Sequence, residues 1–186
     1  CERTVDNCEN GAPKTCVAGA PTTEVCDGVD NDCDGLTDAA DPDMARPLCQ
    51  NQNGVCAGST RPASLCVAGQ WQPCGNAQFS AHSGFYQAGT ESGCDSRDND
   101  CDGQTDEDFT YTALDGSQVV GAGKTCGVGV CAGGTTVCGA NNTLVCNGDV
   151  RIAPEVCDGA DNDCDGRTDS LDASLILVPC QNQTGV

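Results

Sequence analysis

A chain of 186 residues with three Phe, two Tyr, one Trp and one Met cannot build a single large apolar core. A formal net charge of −20 excludes recognition of nucleic-acid phosphates and docking on anionic lipid, both of which need clustered Lys and Arg. The 18 cysteines supply the cross-links that such a chain needs, and their density points to an oxidising compartment: secreted, cell-surface or periplasmic. The alternative use of so many thiols is zinc or an iron–sulfur cluster. No C-x-x-C occurs and His82 is the sole histidine, which argues against both. The longest run of large apolar residues, Leu175 to Val178, is too short to span a bilayer. A secreted chain that begins at Cys1 is expected to have lost a leader or to be a fragment.

The string DNDCDG occurs three times, at Asp30–Gly35, Asp98–Gly103 and Asp161–Gly166, and divides the chain into tandem modules. Module 1 is residues 1–48. It carries Cys1, Cys8 and Cys16 before the pair Cys26/Cys33, and Asn10-Gly11 signals a hairpin turn between the second and third of these. Module 2, residues 49–125, opens with Cys49, Cys56, Cys66 and Cys74 before Cys94/Cys101. It holds an insertion at 75–93 in which Phe79, His82, Phe85 and Tyr86 are expected to form a local cluster. Module 3, residues 126–179, opens with Cys126, Cys131, Cys138 and Cys146 before Cys157/Cys164. Its TTVCGANNTLVC segment predicts a hairpin around Gly139–Asn142, and a short helical turn is expected near Asp169–Leu175.

Residues 180–186 read as the start of a further module. Cys1, Cys8 and Cys16 have the spacing of Cys131, Cys138 and Cys146, so module 1 lacks its opening cysteine. CQNQTGV followed by Cys1 would reproduce CQNQNGVC at Cys49–Cys56. The register predicts that Cys180 completes module 1 of a neighbouring copy, head to tail, through either a peptide bond or a subunit contact. The expected fold class is a small disulfide-rich protein, mostly irregular with short β-hairpins, built of tandem calcium-loop modules with little or no helix.

Most of the 28 acidic residues crowd into or beside the DNDCDG loops, where like charges need a compensating cation. An EF-hand-type loop places oxygen ligands at positions 1, 3, 5, 7, 9 and 12, with Gly at 6. Loop 1 fits with Asp30, Asp32, Asp34, the Leu36 carbonyl, Asp38 and Asp41, and loop 3 with Asp161, Asp163, Asp165, the Arg167 carbonyl, Asp169 and Asp172. Loop 2 offers Asp98, Asp100, Asp102, Gln104 and Asp106, but Phe109 stands at position 12, where Asp108 or Glu107 could substitute. Oxygen-only coordination suits a hard ion, Ca2+ before Mg2+, at about three per chain on the loop count. Turn formation alone is the competing reading of each loop, and threefold repetition of the spacing weighs against it. Cys26/Cys33 is expected to close into a disulfide that pre-forms its loop, and Asp27, Asp95 and Asp158 to accept hydrogen bonds just outside the ligands.

The strings EVCDGVDNDCDGLTD, GCDSRDNDCDGQTDED and EVCDGADNDCDGRTD resemble the MopE-type metal-binding motif of bacterial secreted proteins. The loops are also similar to thrombospondin type 3 and dockerin calcium repeats. The resemblance covers about 15 residues of each module and implies metal binding and a bacterial surface or secreted location. It does not carry copper over, because His82, Met44 and Trp71 show no paired soft-ligand arrangement.

No nucleophile stands at a motif spacing from His82, and GAGK at Gly121–Lys124 lacks the rest of a phosphate loop, so the chain is not expected to be an enzyme. Two classes remain: a structural fibre or stalk subunit rigidified by calcium and disulfides, or a calcium-dependent adhesion module of a large surface protein. The expected partners are copies of the chain itself, with no nucleic acid and no membrane span. Asn141 and Asn182 head N-x-T sequons, where a glycan could be attached.

Overall fold

The computed structural model describes residues 20–175 and the backbone of the strands at 8–9 and 12–13. The expectations for Cys1, Cys180, Asn182 and Val186 lie outside the described residues. The chain divides into two compact units, Cys1–Gln52 with Cys56–Gly84, and Asn53–Val55 with Phe85–Val186. The division falls inside sequence module 2, so each unit joins the loop of one module to the cysteine-rich part of the next.

In the first unit β1 (Cys8–Glu9) pairs antiparallel with β2 (Ala12–Pro13), and β3 (Cys66–Val67) with β4 (Gln70–Trp71). Ala68-Gly69 fills the turn between β3 and β4 with positive φ at both residues, which Gly adopts cheaply. The opening of module 2 is pinned by its glutamines. The Gln50 amide donates to the Cys74 carbonyl at 2.7 Å and accepts the Cys74 N–H at 2.9 Å, while Gln52 accepts the Gly58 N–H at 2.8 Å. The insertion contributes the one α-helix among the described residues, α1 (Asn76–His82), an element not anticipated beyond loop. Gln78 at its third position accepts the Gly75 N–H, and Phe79 alone of the expected aromatic cluster is buried. Phe85 stays exposed beneath the Arg97 guanidinium, 4.0 Å from the ring centroid.

In the second unit β5 (Thr110–Thr112) pairs with β6 (Gln118–Val120). β7 (Thr125–Cys126), β8 (Gly134–Cys138) and β9 (Leu144–Cys146) form a three-stranded antiparallel sheet in that order. The β8–β9 pair is the hairpin expected from TTVCGANNTLVC, and Asn141 and Asn142 at its tip take positive φ. Tyr111, Ala113, Cys126, Leu144 and Cys146 make a small buried core, with Phe109 and Val119 packed against it.

Disulfides stand where a larger protein would have apolar packing: Cys26–Cys66, Cys49–Cys74, Cys94–Cys138, Cys126–Cys146 and Cys131–Cys164. Cys33, Cys56 and Cys101 are also disulfide-bonded. This corrects the expected Cys26–Cys33 bridge. The DNDCDG loop is not closed on itself, because Cys26 reaches forward to the hairpin of the next module, and so does Cys94. The cysteine of the loop itself takes a partner ahead of its own loop in module 3, where Cys164 joins Cys131. Cys157 alone among the described cysteines is a free thiol. Among the described residues no helix is long and apolar enough to cross a membrane.

Candidate metal centre

Each loop is shaped by backbone N–H groups folding onto carboxylates. Asp30 accepts the Cys33 N–H at 2.7 Å and the Gly35 N–H at 3.3 Å; Asp161 accepts those of Asp165 and Gly166, both at 3.1 Å. Asp98 accepts the Gly103 N–H at 2.9 Å. At position 5, Asp34, Asp102 and Asp165 each accept the N–H two residues on, at 2.7, 2.7 and 2.9 Å. Position 3 does the same in loops 1 and 2, through Asp32 and Asp100. The glycines at position 6 have φ of +93°, +94° and +88° in Gly35, Gly103 and Gly166, a backbone that an L side chain rarely adopts. At position 7 the Gln104 and Arg167 side chains turn back onto Asp102 and Asp165, so only the main chain of that residue remains to face the loop interior. Leu36 is exposed there.

The position-9 carboxylates point to the turn that leads into the loop. Asp38 accepts the N–H groups of Asp27 and Gly28 at 2.9 and 3.0 Å, Asp106 those of Asp95 and Ser96 at 3.0 and 3.1 Å, and Asp169 that of Gly159 at 3.1 Å. Asp27, Asp95 and Asp158 cap the same turn by accepting the N–H two residues on. Positions 9 therefore brace the loop from below, and Asp106 is fully buried in doing so.

A second brace was not anticipated from the sequence. Glu24 and Glu155 are 0 % exposed and Glu91 is 4 % exposed, beneath the three loops. Glu24 accepts the N–H groups of Asn31 and Asp38 at 2.7 and 2.8 Å, and Glu155 those of Asn162 and Asp169, both at 2.8 Å. Glu91 accepts the Asn99 N–H in the same place. A single carboxylate thus ties the start of the loop to its ninth position. The sequence signal is the Glu two residues before Cys26 and Cys157, in a position that reads as an ordinary exposed acid until the fold closes over it.

What remains unsatisfied is the metal-seeking part. Asp41 Oδ2, Asp98 Oδ1, Glu107 Oε2, Asp163 Oδ1 and Asp172 Oδ2 are buried without a hydrogen-bond donor. Burying a carboxylate oxygen with no partner is costly, and a cation is the partner that all these sites share. Asp32, Asp34 and Asp41 bring carboxylate oxygens within 4.8 Å of one another, and so do Glu91, Asp100 and Glu107. In loop 2 Glu107 thus stands in the place that Asp41 and Asp172 hold, Asp108 is drawn away to accept the Glu91 N–H, and Phe109 packs on the core.

The charges register this crowding. Burial pushes Glu91 up to about 7, against the relief of the Asn99 N–H, with Glu107 and Asp106 adding repulsion. Burial followed by neighbouring Asp charges raises Asp100 and Glu107, and burial outweighs two backbone N–H bonds to raise Asp106. The Asp43 N–H lowers Asp41, but burial and the charges of Asp32, Asp34 and Glu24 together lift it above its ordinary value. The donor set is carboxylate and carbonyl oxygen throughout. The cysteines within the loops, Cys33, Cys101 and Cys164, are in disulfides, Cys157 before loop 3 is a free thiol exposed to solvent, and His82 is turned to the Ala57 carbonyl. These residues fit a hard cation.

Three segments, 21–39, 86–107 and 152–170, match a family model described as a putative metal-binding motif, whose name refers to copper binding and MopE. Each matched segment contains its buried glutamate and the acidic loop up to its tenth position, short of the twelfth. The protein is thus a disulfide-rich repeat of three metal-binding-motif loops. No curated protein and no solved structure matches the chain.

Proposed function

We propose that the loops bind Ca2+, about three per chain on the loop count, and that the protein is an extracellular structural repeat, a fibre or stalk subunit of a bacterial surface. The observation that carries the calcium reading is the set of orphaned, buried carboxylate oxygens in all three loops. Copper favours His, Met or thiolate, which the loops lack. The structural role is supported by the forward disulfides Cys26–Cys66 and Cys94–Cys138, which fasten loops 1 and 2 to the modules that follow them. The acids are engaged as braces and ion ligands, so the reading includes no catalysis. Attachment of a glycan at Asn141 is compatible with its exposed position in the β8–β9 turn.

The test is calorimetric titration of metal-stripped protein with Ca2+, Mg2+ and Cu2+ separately. The expected result is Ca2+ uptake at the loop stoichiometry, weaker Mg2+ binding, and Cu2+ binding that survives Asp32→Asn and Asp163→Asn. Cu2+ binding tighter than Ca2+ and abolished by those substitutions would replace calcium by copper. Continuous filaments in images of native material are the expected sign of the structural role; isolated particles that capture a surface ligand only with calcium would favour adhesion instead.

A further inference from the structure

Among the described residues the cysteines follow a pairing rule that leaves one of them over. The first and fourth cysteines pair, as Cys49–Cys74 and Cys126–Cys146, and the second pairs with the sixth, as Cys131–Cys164. The fifth cysteine reaches forward and takes the third cysteine of the next module, as Cys26–Cys66 and Cys94–Cys138. Cys157 is the fifth cysteine of module 3, and it is exposed with a free thiol.

Both sister cysteines are held by a hairpin, through different contacts. In the first unit the β3–β4 tip lies against the turn after Cys26, so close that a Cβ on Gly69 would come within 2.8 Å of the Asp27 carbonyl carbon. In the second unit Asn142, in the β8–β9 turn, accepts the Cys94 N–H at 2.6 Å and donates to the Ser92 carbonyl at 2.8 Å. The hairpins of Cys66 and Cys138 are thus occupied. The β1–β2 hairpin has the register of β3–β4: Cys8 lies opposite Pro13 as Cys66 lies opposite Trp71, with two residues between the paired strands in each.

We propose that Cys157 is closed by a disulfide to Cys8 of a second copy of this chain, docked head to tail with its β1–β2 hairpin against the turn at Asp158–Gly159. The bond forms when the two thiols lose two protons and two electrons to a small-molecule disulfide such as oxidised glutathione, which is cleaved to two thiols. The inference rests on the structural-repeat reading only for the identity of the partner; the open place at Cys157 stands without it.

The test uses the whole 186-residue chain as an equal mixture of isotope-light and isotope-heavy protein. The mixture is oxidised in a glutathione buffer with Ca2+ and digested without reduction. Mixed-label peptide pairs joining Cys157 to Cys8 are expected, together with a gel ladder that collapses on reduction and loss of alkylation at Cys157. Cys157→Ser and Cys8→Ser should each remove that peptide pair, and Cys8→Ser should leave Cys157 open to alkylation. Calcium-dependent oligomers in which Cys157 still alkylates would overturn the disulfide while leaving the assembly reading intact. Same-label pairs alone, or Cys157 joined to a different cysteine, overturn it as well. A chain that stays monomeric with Cys157 free overturns both.

Discussion

Loops 1 and 3 close in one way and loop 2 in another. In loops 1 and 3 the twelfth residue, Asp41 or Asp172, gives one oxygen to the N–H two residues on, at 2.6 Å, and buries the other without a donor. In loop 2 the twelfth residue is Phe109, which packs on Tyr111 and its neighbours, and Glu107 brings the orphaned oxygen from two residues earlier. A longer side chain from an earlier position can thus occupy the same electrostatic role once the chain turns sooner into β5. The lesson is that the closing ligand is chosen by where the strand begins, whereas the first half of the loop is fixed by its own hydrogen bonds.

The largest effect that would probe this comparison is removal of the cation. Saturating Ca2+ should stabilise each site by about 2.7 kcal/mol at a free concentration of roughly 100 times its Kd, and chelation should forfeit this at all three loops. Thermal melts with and without chelator measure it, and an unchanged midpoint would break the calcium reading. In chelator, stability should fall as pH rises from the ordinary carboxylate range through about 7, with Glu91 the last group to ionise. The sign follows from raised folded-state values: protonated acids favour the fold below the unfolded pKa, and that stabilisation is lost as the folded groups ionise. Ca2+ should flatten or reverse the trend, because it binds the ionised form.

Next in size is the glutamate brace. Glu155→Gln exchanges one acceptor oxygen for a donor facing a buried N–H, at a cost of about 1–3 kcal/mol, and should weaken loop 3 while sparing loop 1. Hydrogen exchange at the Asn162 and Asp169 amides reports it directly. Gly129→Ala tests the other side of loop 3. Its φ is +54° and the new Cβ would sit 2.4 Å from the Asp161 carbonyl oxygen, so about 1–3 kcal/mol of overpacking is expected, read as a lower melting midpoint.

The smallest effect sharpens the contrast itself. Glu107→Gln should weaken Ca2+ at loop 2 by about tenfold, the order of one lost charge-assisted contact. Asp108→Asn should change it far less, since Asp108 is turned to the Glu91 N–H. Equal losses in both variants, measured by calorimetry, would return loop 2 to an undetermined closing residue.

Repetition, cysteine count and acid spacing were legible in the sequence because each is a property of short segments. The Asp at positions 1, 3 and 5 and the Gly at position 6 fold onto neighbours within five residues, so the local pattern carries its own geometry. Hairpins at Asn10-Gly11 and Gly139–Asn142 were readable for the same reason. Helix α1 was not: seven residues with Gln at the third position and one buried Phe give too weak a periodic signal beside the surrounding Gly and Ser. The tertiary structure decided the forward disulfides, the burial of Glu24, Glu91 and Glu155, and the choice of Glu107 over Asp108. Each depends on which distant segment comes to lie over the loop, as Cys66 over Cys26 across 40 residues, and no spacing rule within one module encodes that neighbour.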